Sequence, residues 1–539
     1  MAAALAATQY TVLEWSFDSG KPYTDPFNEV ELDVVFTGPG GEMRVPAFWA
    51  GGQSWRVRFA PPLPGRYAWR SVCSDTANPA LHGREGVSEA APYRGANPLL
   101  AHGPLRVSAD GRCLEFADGE PFLWTGDTWW MSLTGRLHWP EDVRVLAADR
   151  LAKGFNVLQI IAGLYPDMPA YDERGCNEAG YAWEKDFARI NPCWFDLADL
   201  KIAYLAGAGL MPCLVGAWAY FLPWMGVERL QRHWRYLVAR WGAYPVVWCL
   251  AGEVAMPYYE LILGATADKA KADEHRRMQA QGWSRIGQYV RSIDGHRRLI
   301  TIHPSQASRD EIADPTVIDF EMLQTGHGGQ WPLANILRRV PEQVARRPAM
   351  PVVNSEVNYE GLMEASALHV RVAYWSSMLG GCAGFTYGAN GIWQVNEPGK
   401  PYGNSPWGGG YGDAPWTETF RYPGSMHVGI GARLLARYPW PKLECHPAWI
   451  ESPASPEDPM GNYCAGVPGR LRIAYVPRGI VPWCRPKLLN LEQDVTWSIR
   501  YVNPQTGKEV PLPGSREQSE YVLPVAPVTH DWLVVMEAT

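Results

Sequence analysis

The stretch VVWCLAGE, which runs from Val246 to Glu253, decides the fold. It opens with an apolar run that lacks polar alternation, a pattern typical of a strand covered on both faces in a parallel sheet. Two small residues follow, and the stretch ends on the carboxylate of Glu253. In parallel α/β barrels the chemistry lies at the carboxyl ends of the strands. We therefore predict a buried barrel strand that presents Glu253 to an active site.

A second stretch, PVVNSE from Pro351 to Glu356, has the same design. It is a short apolar strand that ends in a glutamate, 356 − 253 = 103 residues after the first one. Strands of one barrel open at a common mouth. The pattern predicts that Glu253 and Glu356 face one pocket as a carboxylate pair, with Glu360 as the rival for the second position.

The surrounding sequence predicts eight βα units. Strand-like and helix-like runs alternate from residue 101 to residue 438, as expected for a parallel sheet. Glu228–Trp241 is the clearest helix, because its apolar residues recur at three- and four-residue spacing. We expect a (β/α)8 TIM barrel over 101–438. Its predicted strands are Phe122–Thr125, Asn156–Ile161, Met211–Val215, Val246–Leu250, Leu299–Ile302, Ile318–Leu323, Pro351–Asn354 and Gly384–Tyr387.

The segments on either side of the barrel have a β pattern. Residues 1–100 contain short alternating runs, such as Val30–Phe36 and Ser54–Phe59, separated by turns rich in Gly and Pro. Residues 439–539 show the same alternation of apolar and polar residues, for example in Leu471–Val476 and Trp497–Val502. The expected fold is an α/β barrel flanked by an N-terminal and a C-terminal β-sandwich.

Composition narrows the class of protein. The 539 residues carry a net charge of −7, which is mild for this length and predicts neither a nucleic-acid partner nor a membrane surface. We see no secretion signal, and no apolar run approaches the ~20 residues that span a bilayer. The ten cysteines show no CxxC spacing. A cytoplasmic protein is the simplest interpretation, with a periplasmic or secreted one if a signal was removed; the sequence leaves open whether it forms a homo-oligomer.

The residues that follow the strands suit a neutral, polyhydroxylated ligand such as a sugar. They supply carboxylate, amide, imidazole and indole groups, without a lysine, a serine elbow or a glycine-rich phosphate loop. Flat apolar rings stack well on sugar faces, although we expect most of the 26 tryptophans in the core. The long segment Gly391–Gly424 is predicted to form a wall or lid of the pocket. The substrate-binding candidates are Asp127, Trp129, Trp130, Tyr165, Trp218, His303, Gln324, Tyr387 and Trp393.

A carboxylate pair across a sugar site can cleave a glycosidic bond. One group protonates the leaving oxygen, and the other attacks the anomeric carbon or activates water. A separation of about 5–5.5 Å gives retention and about 6.5–9.5 Å gives inversion. We expect no metal and no organic cofactor, because there is no HxH after the first strand and no Cys/His cluster with zinc spacing.

Four stretches carry a family resemblance: PFNEVELDVVFTGPGGEMRVPAFW (26–49), FLWTGDTWW (122–130), VVWCLAGE, and PVVNSEVNYEG (351–361). Together with the β segments at both ends, they resemble the apiosidase-like barrel family of clan A glycoside hydrolases. The resemblance implies that Glu253 is the acid/base and Glu356 the nucleophile. It also implies that Asp127 and Trp129 lie at the floor of the −1 subsite. Gly252 stands where many clan A members have Asn.

We therefore expect a retaining glycoside hydrolase that acts in exo fashion on short oligosaccharides or glycosides. One alternative is a non-catalytic carbohydrate-binding protein on the same barrel. Another is a metal-dependent hydrolase or isomerase, in which His303, His327 and carboxylates converge on an ion. The sugar, its anomeric configuration and the linkage stay open.

Overall fold

A computed structural model describes residues 4–539 and contains the eight predicted barrel strands. They form one parallel sheet in the order β5-β4-β3-β2-β1-β8-β7-β6, so chain neighbours lie side by side around a nearly closed barrel. The predicted TIM-barrel fold is confirmed. The strands are β1 Trp124–Thr128, β2 Val157–Ile161, β3 Met211–Val215, β4 Val247–Gly252, β5 Ile300–His303, β6 Glu321–Gly326, β7 Val352–Val357 and β8 Gly384–Tyr387.

The two ends of this sheet, β5 and β6, meet through side chains. The hydroxyl of Thr301 donates to the carbonyl of Phe320 at 2.9 Å. The hydroxyl of Ser308 donates to the carbonyl of Ile302 at 2.8 Å and accepts from the backbone N–H of Met322 at 2.9 Å. These bonds replace the missing backbone ladder and close the barrel.

Helices cover the outside of the barrel. They are α1 Glu141–Lys153, α2 Pro192–Ala208, α3 Phe221–Trp241, α4 Lys269–Ile293, α5 Ser308–Glu311, α6 Trp331–Ala345, α7 Ala367–Leu379 and α8 Pro423–Leu435, with a further turn at Trp416–Thr419. The apolar side chains predicted for α3 are buried against the barrel. Strand β6 begins at Glu321, later than the predicted Ile318, and the 3-10 turn Pro315–Val317 precedes this stretch.

Two sheets form a β-sandwich before the barrel. Phe36 and Phe59 stack between the sheets with ring centroids 3.8 Å apart. One sheet has the order Leu5–Thr8, Glu85–Ala91, Gly65–Cys73, Leu32–Gly38, Gly41–Pro46, and the other Leu13–Asp18, Ser54–Phe59, Phe48–Trp49. Single helical turns lie at Pro26–Glu29 and Pro98–Ala101, and the strands Leu105–Val107, Leu114–Phe116 and Pro121–Phe122 lead into the barrel.

Antiparallel strands form the C-terminal region. A six-stranded sheet has the order Glu444–Cys445, Tyr463–Val467, Leu471–Val476, Trp532–Ala538, Trp497–Val502, Glu509–Ser515, and a two-stranded sheet pairs Lys487–Leu488 with Tyr521–Val522. Apolar side chains from both sheets share a core of their own, and further side chains of the six-stranded sheet join the continuous core of the N-terminal sandwich and the barrel.

Buried ion pairs join both flanking regions to the barrel. Arg58, from the N-terminal sandwich, contacts Asp199 of α2 at 2.5 Å. Arg371, from α7, contacts Asp531 just before the last C-terminal strand at 2.6 Å. Within residues 4–539, no helix combines the length and the apolar character needed to cross a bilayer.

Candidate active site

Strands β4 and β7 bring the two predicted glutamates to the carboxyl end of the barrel. All six residues of β4 are buried, and Glu253 follows directly in a left-handed backbone conformation with φ of +46°. Non-glycine residues rarely adopt this conformation, and strain of this kind occurs often at functional sites. Glu356 lies within β7 and is only 6% exposed. Glu253 is partly exposed.

The carboxylate of Glu253 is held by two donors. The indole N–H of Trp218 donates to Oε2 at 3.2 Å, and the side-chain amide of Gln324 donates to Oε1 at 3.0 Å. Gly252 explains how Trp218 reaches this position, because a Cβ atom at residue 252 would lie 2.5 Å from the indole ring. The glycine before Glu253 thus makes room for the ring that binds its carboxylate.

The carboxylate of Glu356 lies between two histidines. The Nε2 atom of His327 is 2.9 Å from Oε1, and the Nε2 atom of His303 is 3.2 Å from Oε2. The His327 contact is a hydrogen bond, whereas the His303 contact is not aligned as one. Oε2 of Glu356 therefore lacks a hydrogen-bond partner among the described residues.

The sheet register sets the two glutamates opposite each other. Gln324 of β6 pairs with Glu356 of β7, yet its side chain donates to Glu253. His303 of β5 pairs with Gly252 of β4, yet its ring contacts Glu356. Each glutamate is thus contacted by a side chain from the strand beside the other. These crossed contacts bring both carboxylates into one pocket.

The two carboxylates have opposite electrostatic environments. Burial, reinforced by the negative charge of Glu356, raises the pKa of Glu253 to about 7. Burial also opposes ionisation of Glu356, but the contacts from His303 and His327 outweigh it and hold the pKa of Glu356 well below its ordinary value. At pH near 6 the pair therefore contains one protonated and one ionised carboxyl group.

Aromatic rings line the wall beside Glu356. The indole of Trp130 lies edge-on to both Trp218 and His303, with centroids 5.9 and 5.4 Å apart. Its N–H donates to the hydroxyl of Tyr359 at 3.2 Å, and the Tyr359 ring lies 4.4 Å from that of His327. Three of the predicted residues, Trp130, Trp218 and His303, thus lie together next to the carboxylate pair.

Loops from three strands close one side of the pocket around Asp167. The side chain of Asp167, in the loop after β2, accepts hydrogen bonds from Tyr259 after β4 and from Ser405 and Tyr411 after β8. The ring of Trp393 packs edge-on against Tyr411 with centroids 4.8 Å apart. The segment Gly391–Gly424 therefore contributes to the wall of the pocket.

Two predicted binding residues, Asp127 and Trp129, bind each other within the barrel wall. The carboxylate of Asp127 accepts from the indole N–H of Trp129 at 2.7 Å and from Nε of Arg150 at 2.6 Å. Both side chains of the Asp127–Arg150 pair are fully buried. Every contact of Asp127 described by the structure is with the wall, away from Glu253 and Glu356.

Tyr387 and Tyr165 also lie apart from the pair. The hydroxyl of Tyr387 donates to Glu360 at 2.7 Å, and the backbone N–H of Gly424 donates to the same carboxylate. Glu360, the rival second carboxylate, is thus already bound by groups outside the pocket. Tyr165 is buried beside Met168 in a small, mainly apolar cavity behind the loop that follows β2.

Several residues at the pocket were not among the predicted binding residues: Asp167, Tyr259, His327, Tyr359, Ser405 and Tyr411. The strand-end rule already places His327 at the barrel mouth after the sixth strand, and Tyr359 follows β7 in the same way. Asp167, Ser405 and Tyr411 lie in segments that the sequence predicts to border the pocket, whereas Tyr259 carries no such signal. Residues 4–539 contain no group of three or more His, Cys, Asp or Glu side chains placed to hold a metal ion.

Comparison with solved structures places this fold among glycoside hydrolases. A structure described as "Glycoside hydrolase" superposes with a TM-score of 0.66 at 20% identity and covers 82% of this chain and 98% of its own. A glycoside hydrolase family 5 structure from Bacteroides vulgatus ATCC 8482 superposes with a TM-score of 0.66 at 20% identity, and the match covers 81% of this chain and 93% of that structure. A structure described as a putative glycoside hydrolase from the same organism superposes with a TM-score of 0.66 at 16% identity, and the match covers 99% of this chain and 100% of that structure. At these identities the likeness shows the fold alone.

Family models assign the chain more closely. Residues 6–74 match a domain of unknown function (DUF5060). No curated protein matches the chain. Residues 108–442, which hold the whole barrel and both glutamates, match the model "Apiosidase-like, catalytic domain". The chain therefore belongs to the apiosidase-like catalytic-domain family and is a glycoside hydrolase.

Proposed function

We propose that the protein is a retaining, exo-acting glycoside hydrolase for short oligosaccharides or glycosides, with Glu253 as acid/base and Glu356 as nucleophile. The observation that carries this proposal is the contrast between the two carboxyl groups. Glu253 has its pKa raised to about 7, and Glu356 has its pKa lowered. Two carboxyl groups with separated pKa values divide the work of glycoside cleavage into proton donor and nucleophile.

In the first step, an oxygen of ionised Glu356 attacks the anomeric carbon. Oε2 is the better placed atom, because it has no hydrogen-bond partner among the described residues. The bond between the anomeric carbon and the leaving oxygen breaks, and Glu253 gives its proton to that oxygen. The products of this step are the free alcohol, a glycosyl ester on Glu356 and an ionised Glu253.

The second step reverses these roles. Formation of the ester removes the negative charge of Glu356, which is one cause of the raised pKa of Glu253. The pKa of Glu253 then falls, and the carboxylate can persist beside the ester as a general base. It takes a proton from water while the water oxygen attacks the anomeric carbon and the bond to Glu356 breaks. Two displacements at one carbon give net retention.

Exo action is supported by the loops at the pocket. The loops after β2, β4 and β8 meet at Asp167, which favours a closed pocket over an open cleft for a polymer. Rings of Trp130 and Trp218 beside the carboxylates suit a sugar face. The identity of the sugar and the linkage are for a substrate panel to determine.

The proposal is tested with aryl pyranosides and furanosides and the variants Glu253→Gln and Glu356→Gln. The wild type should release aryl alcohol from at least one sugar. Glu356→Gln should abolish this release, because the amide is a poor nucleophile. Glu253→Gln should lower kcat by about 10²- to 10⁴-fold for poor leaving groups, and by less for activated ones that need no proton.

Matched controls are Glu260→Gln and Glu364→Gln, which change exposed glutamates in the loops after β4 and β7. Both should keep wild-type kcat. Activity that survives Glu356→Gln would remove this residue as the nucleophile. Inversion of the anomeric configuration in the first-formed product would contradict the two-step mechanism.

A further inference from the structure

Asp167 is a buried carboxylate that the proposed reaction does not use. It follows β2, is 7% exposed and has a left-handed backbone with φ of +56°. Glu356 lies close enough for its negative charge to oppose ionisation of Asp167, and Asp167 has the same effect on Glu253. A third carboxylate thus borders the pocket that holds the reacting pair.

All hydrogen bonds to the Asp167 side chain end on one of its two oxygens. Oδ1 accepts from the hydroxyls of Ser405 at 2.9 Å, Tyr411 at 3.0 Å and Tyr259. The described residues give Oδ2 no hydrogen bond. Oδ2 is not among the fully buried atoms, so a ligand hydroxyl that reaches it gains a charge-assisted hydrogen bond.

Other unpartnered polar atoms lie nearby. The indole N–H of Trp393, whose ring packs against Tyr411, has no partner among the described residues, although the side chain is 3% exposed. The amide oxygen of Gln324, which donates to Glu253, also lacks a partner. Two acceptors, on Asp167 and Gln324, and one donor, on Trp393, thus lack a hydrogen-bond partner among the described residues.

Two arginines near the pocket, Arg174 and Arg136, are already engaged. Arg174 pairs with Asp172 at 2.8 Å and donates to the carbonyl of Asn404 at 2.9 Å. Arg136 lies 3.8 Å from Glu397 and donates to the carbonyl of Lys400. With the carboxylates of Glu356 and Asp167 beside it, the pocket disfavours an anionic sugar.

We infer that Asp167 recognises the terminal sugar: its Oδ2 accepts hydrogen bonds from hydroxyls of a neutral unit, and the loops bound to Oδ1 close the pocket behind that unit. This inference rests on the proposed exo-glycosidase function and names its substrate class as glycosides with a neutral non-reducing end. Asp167 is a specificity residue, because it contacts hydroxyls away from the bond that breaks.

The variant Asp167→Asn tests this role, with Asp186→Asn as its control. Asp186 lies in the same loop, is exposed and has a similar φ of +60°, so Asn fits both backbones equally. The substrates are the active aryl glycoside and its monodeoxy analogues. Asp167→Asn should lower kcat/KM on the parent glycoside by about 10- to 100-fold, as expected for loss of a hydrogen bond to a charged group.

The deoxy series separates contact from a merely structural effect. In wild type and in Asp186→Asn, kcat/KM should fall about 10- to 100-fold when the contacted hydroxyl is removed from the substrate. In Asp167→Asn, removal of that hydroxyl should change kcat/KM little, whereas removal of any other hydroxyl should lower it as much as in wild type. Tyr411→Phe, which keeps the charge of Asp167, should retain the wild-type deoxy pattern. The free neutral sugar should inhibit, and its uronic acid should not.

The role of Asp167 is overturned if Asp167→Asn lowers kcat/KM by the same factor on the parent glycoside and on every deoxy analogue, or if its kcat/KM values match those of Asp186→Asn. Either result leaves the proposed function intact. Equal inhibition by the uronic acid overturns the neutral specificity. A wild type with no turnover on any glycoside of the panel overturns the proposed function and this inference together.

Discussion

At the scale of single residues, the two glutamates that we propose as the reacting pair have neighbours that differ in charge. Glu253 has two neutral donors, Trp218 and Gln324, whereas Glu356 has two imidazoles. Imidazole can carry a positive charge and the neutral donors cannot, so ionisation is favoured at Glu356. The pH profile of kcat/KM should therefore fall as pH rises through about 7, where Glu253 loses its proton.

The raised pKa of Glu253 also makes a prediction about stability. Its folded-state pKa of about 7 lies above the ordinary value of 4.5, so the folded state holds the proton more tightly between these values. Stability from this group is fully present below pH 4.5 and is lost as pH rises through 7. Glu253→Gln cannot titrate and should gain stability over wild type by about 1–3 kcal/mol between pH 4.5 and 8, reduced by partial exposure.

Urea unfolding at the two pH values measures this gain. Glu260 lies in the same loop but is exposed, so the variant Glu260→Gln should have the same free energy of unfolding as wild type at both pH values. If the free energy of unfolding of Glu253→Gln exceeds that of wild type by the same amount at both pH values, the folded state does not hold this proton.

Sequence predicts the two glutamates that we propose as the reacting pair, but not the side chains around them. Glu253 and Glu356 were predicted because each ends a short apolar strand, which is a local feature. Asp127 also follows this rule, yet Arg150, 23 residues further along, binds its carboxylate in the wall. A pairing between a strand and the next helix depends on packing, so strand position alone cannot show which carboxylates face the pocket.

At the scale of elements, the segment Gly391–Gly424 depends on the loop after β2. Arg174 of that loop donates to the carbonyl of Asn404 and lies over the ring of Tyr402 at 4.6 Å. The hydroxyl of Tyr402 in turn donates to the carbonyl of Pro166 at 3.1 Å. These contacts fix the segment that carries Ser405 and Tyr411 to Asp167.

Arg174→Ala should loosen this segment without unfolding the barrel. We expect KM to rise about 10-fold, proteolysis within 391–424 to become faster, and stability to fall by about 1 kcal/mol or less, since the Arg174–Asp172 pair is near the surface. Arg189→Ala is the control, because Arg189 lies in the same loop and pairs with Glu184. Unchanged KM and unchanged proteolysis in Arg174→Ala would show that this arginine does not hold the wall.

The strands were predictable to within a few residues, and the loops were not. Apolar runs bounded by Gly and Pro identified all eight strands. The largest shift of a strand start is at β6: Ile318 and Phe320 are buried like strand residues and led the prediction to start there, although the strand begins at Glu321. The loop contacts around Asp167 join residues 238 and 244 positions apart. No local pattern carries that information.

At the scale of the whole molecule, buried charge couples the C-terminal region to the barrel. Asp531 accepts from Nε and Nη2 of Arg371 at 2.6 and 2.7 Å and from the hydroxyl of Tyr475 at 2.7 Å. Asp531 is 2% exposed, so removal of its carboxylate leaves a buried guanidinium without its partner.

Asp531→Ala should therefore lower the free energy of unfolding by about 3–5 kcal/mol. Asp458→Ala breaks an exposed pair with Arg478 in the same region and should cost about 1 kcal/mol or less. Denaturant unfolding followed by tryptophan fluorescence compares the two. Similar small losses in both variants would mean that the Arg371–Asp531 pair does not couple the C-terminal region to the barrel.

We propose that Glu356 forms the covalent bond to the sugar. The most direct test is to incubate the enzyme with a 2-deoxy-2-fluoro glycoside of its preferred sugar that carries a good leaving group, and to locate the adduct by peptide mass spectrometry. We expect one glycosyl group, attached to Glu356. An adduct on Glu360, or no adduct from an enzyme that hydrolyses the parent glycoside with inversion, would contradict it.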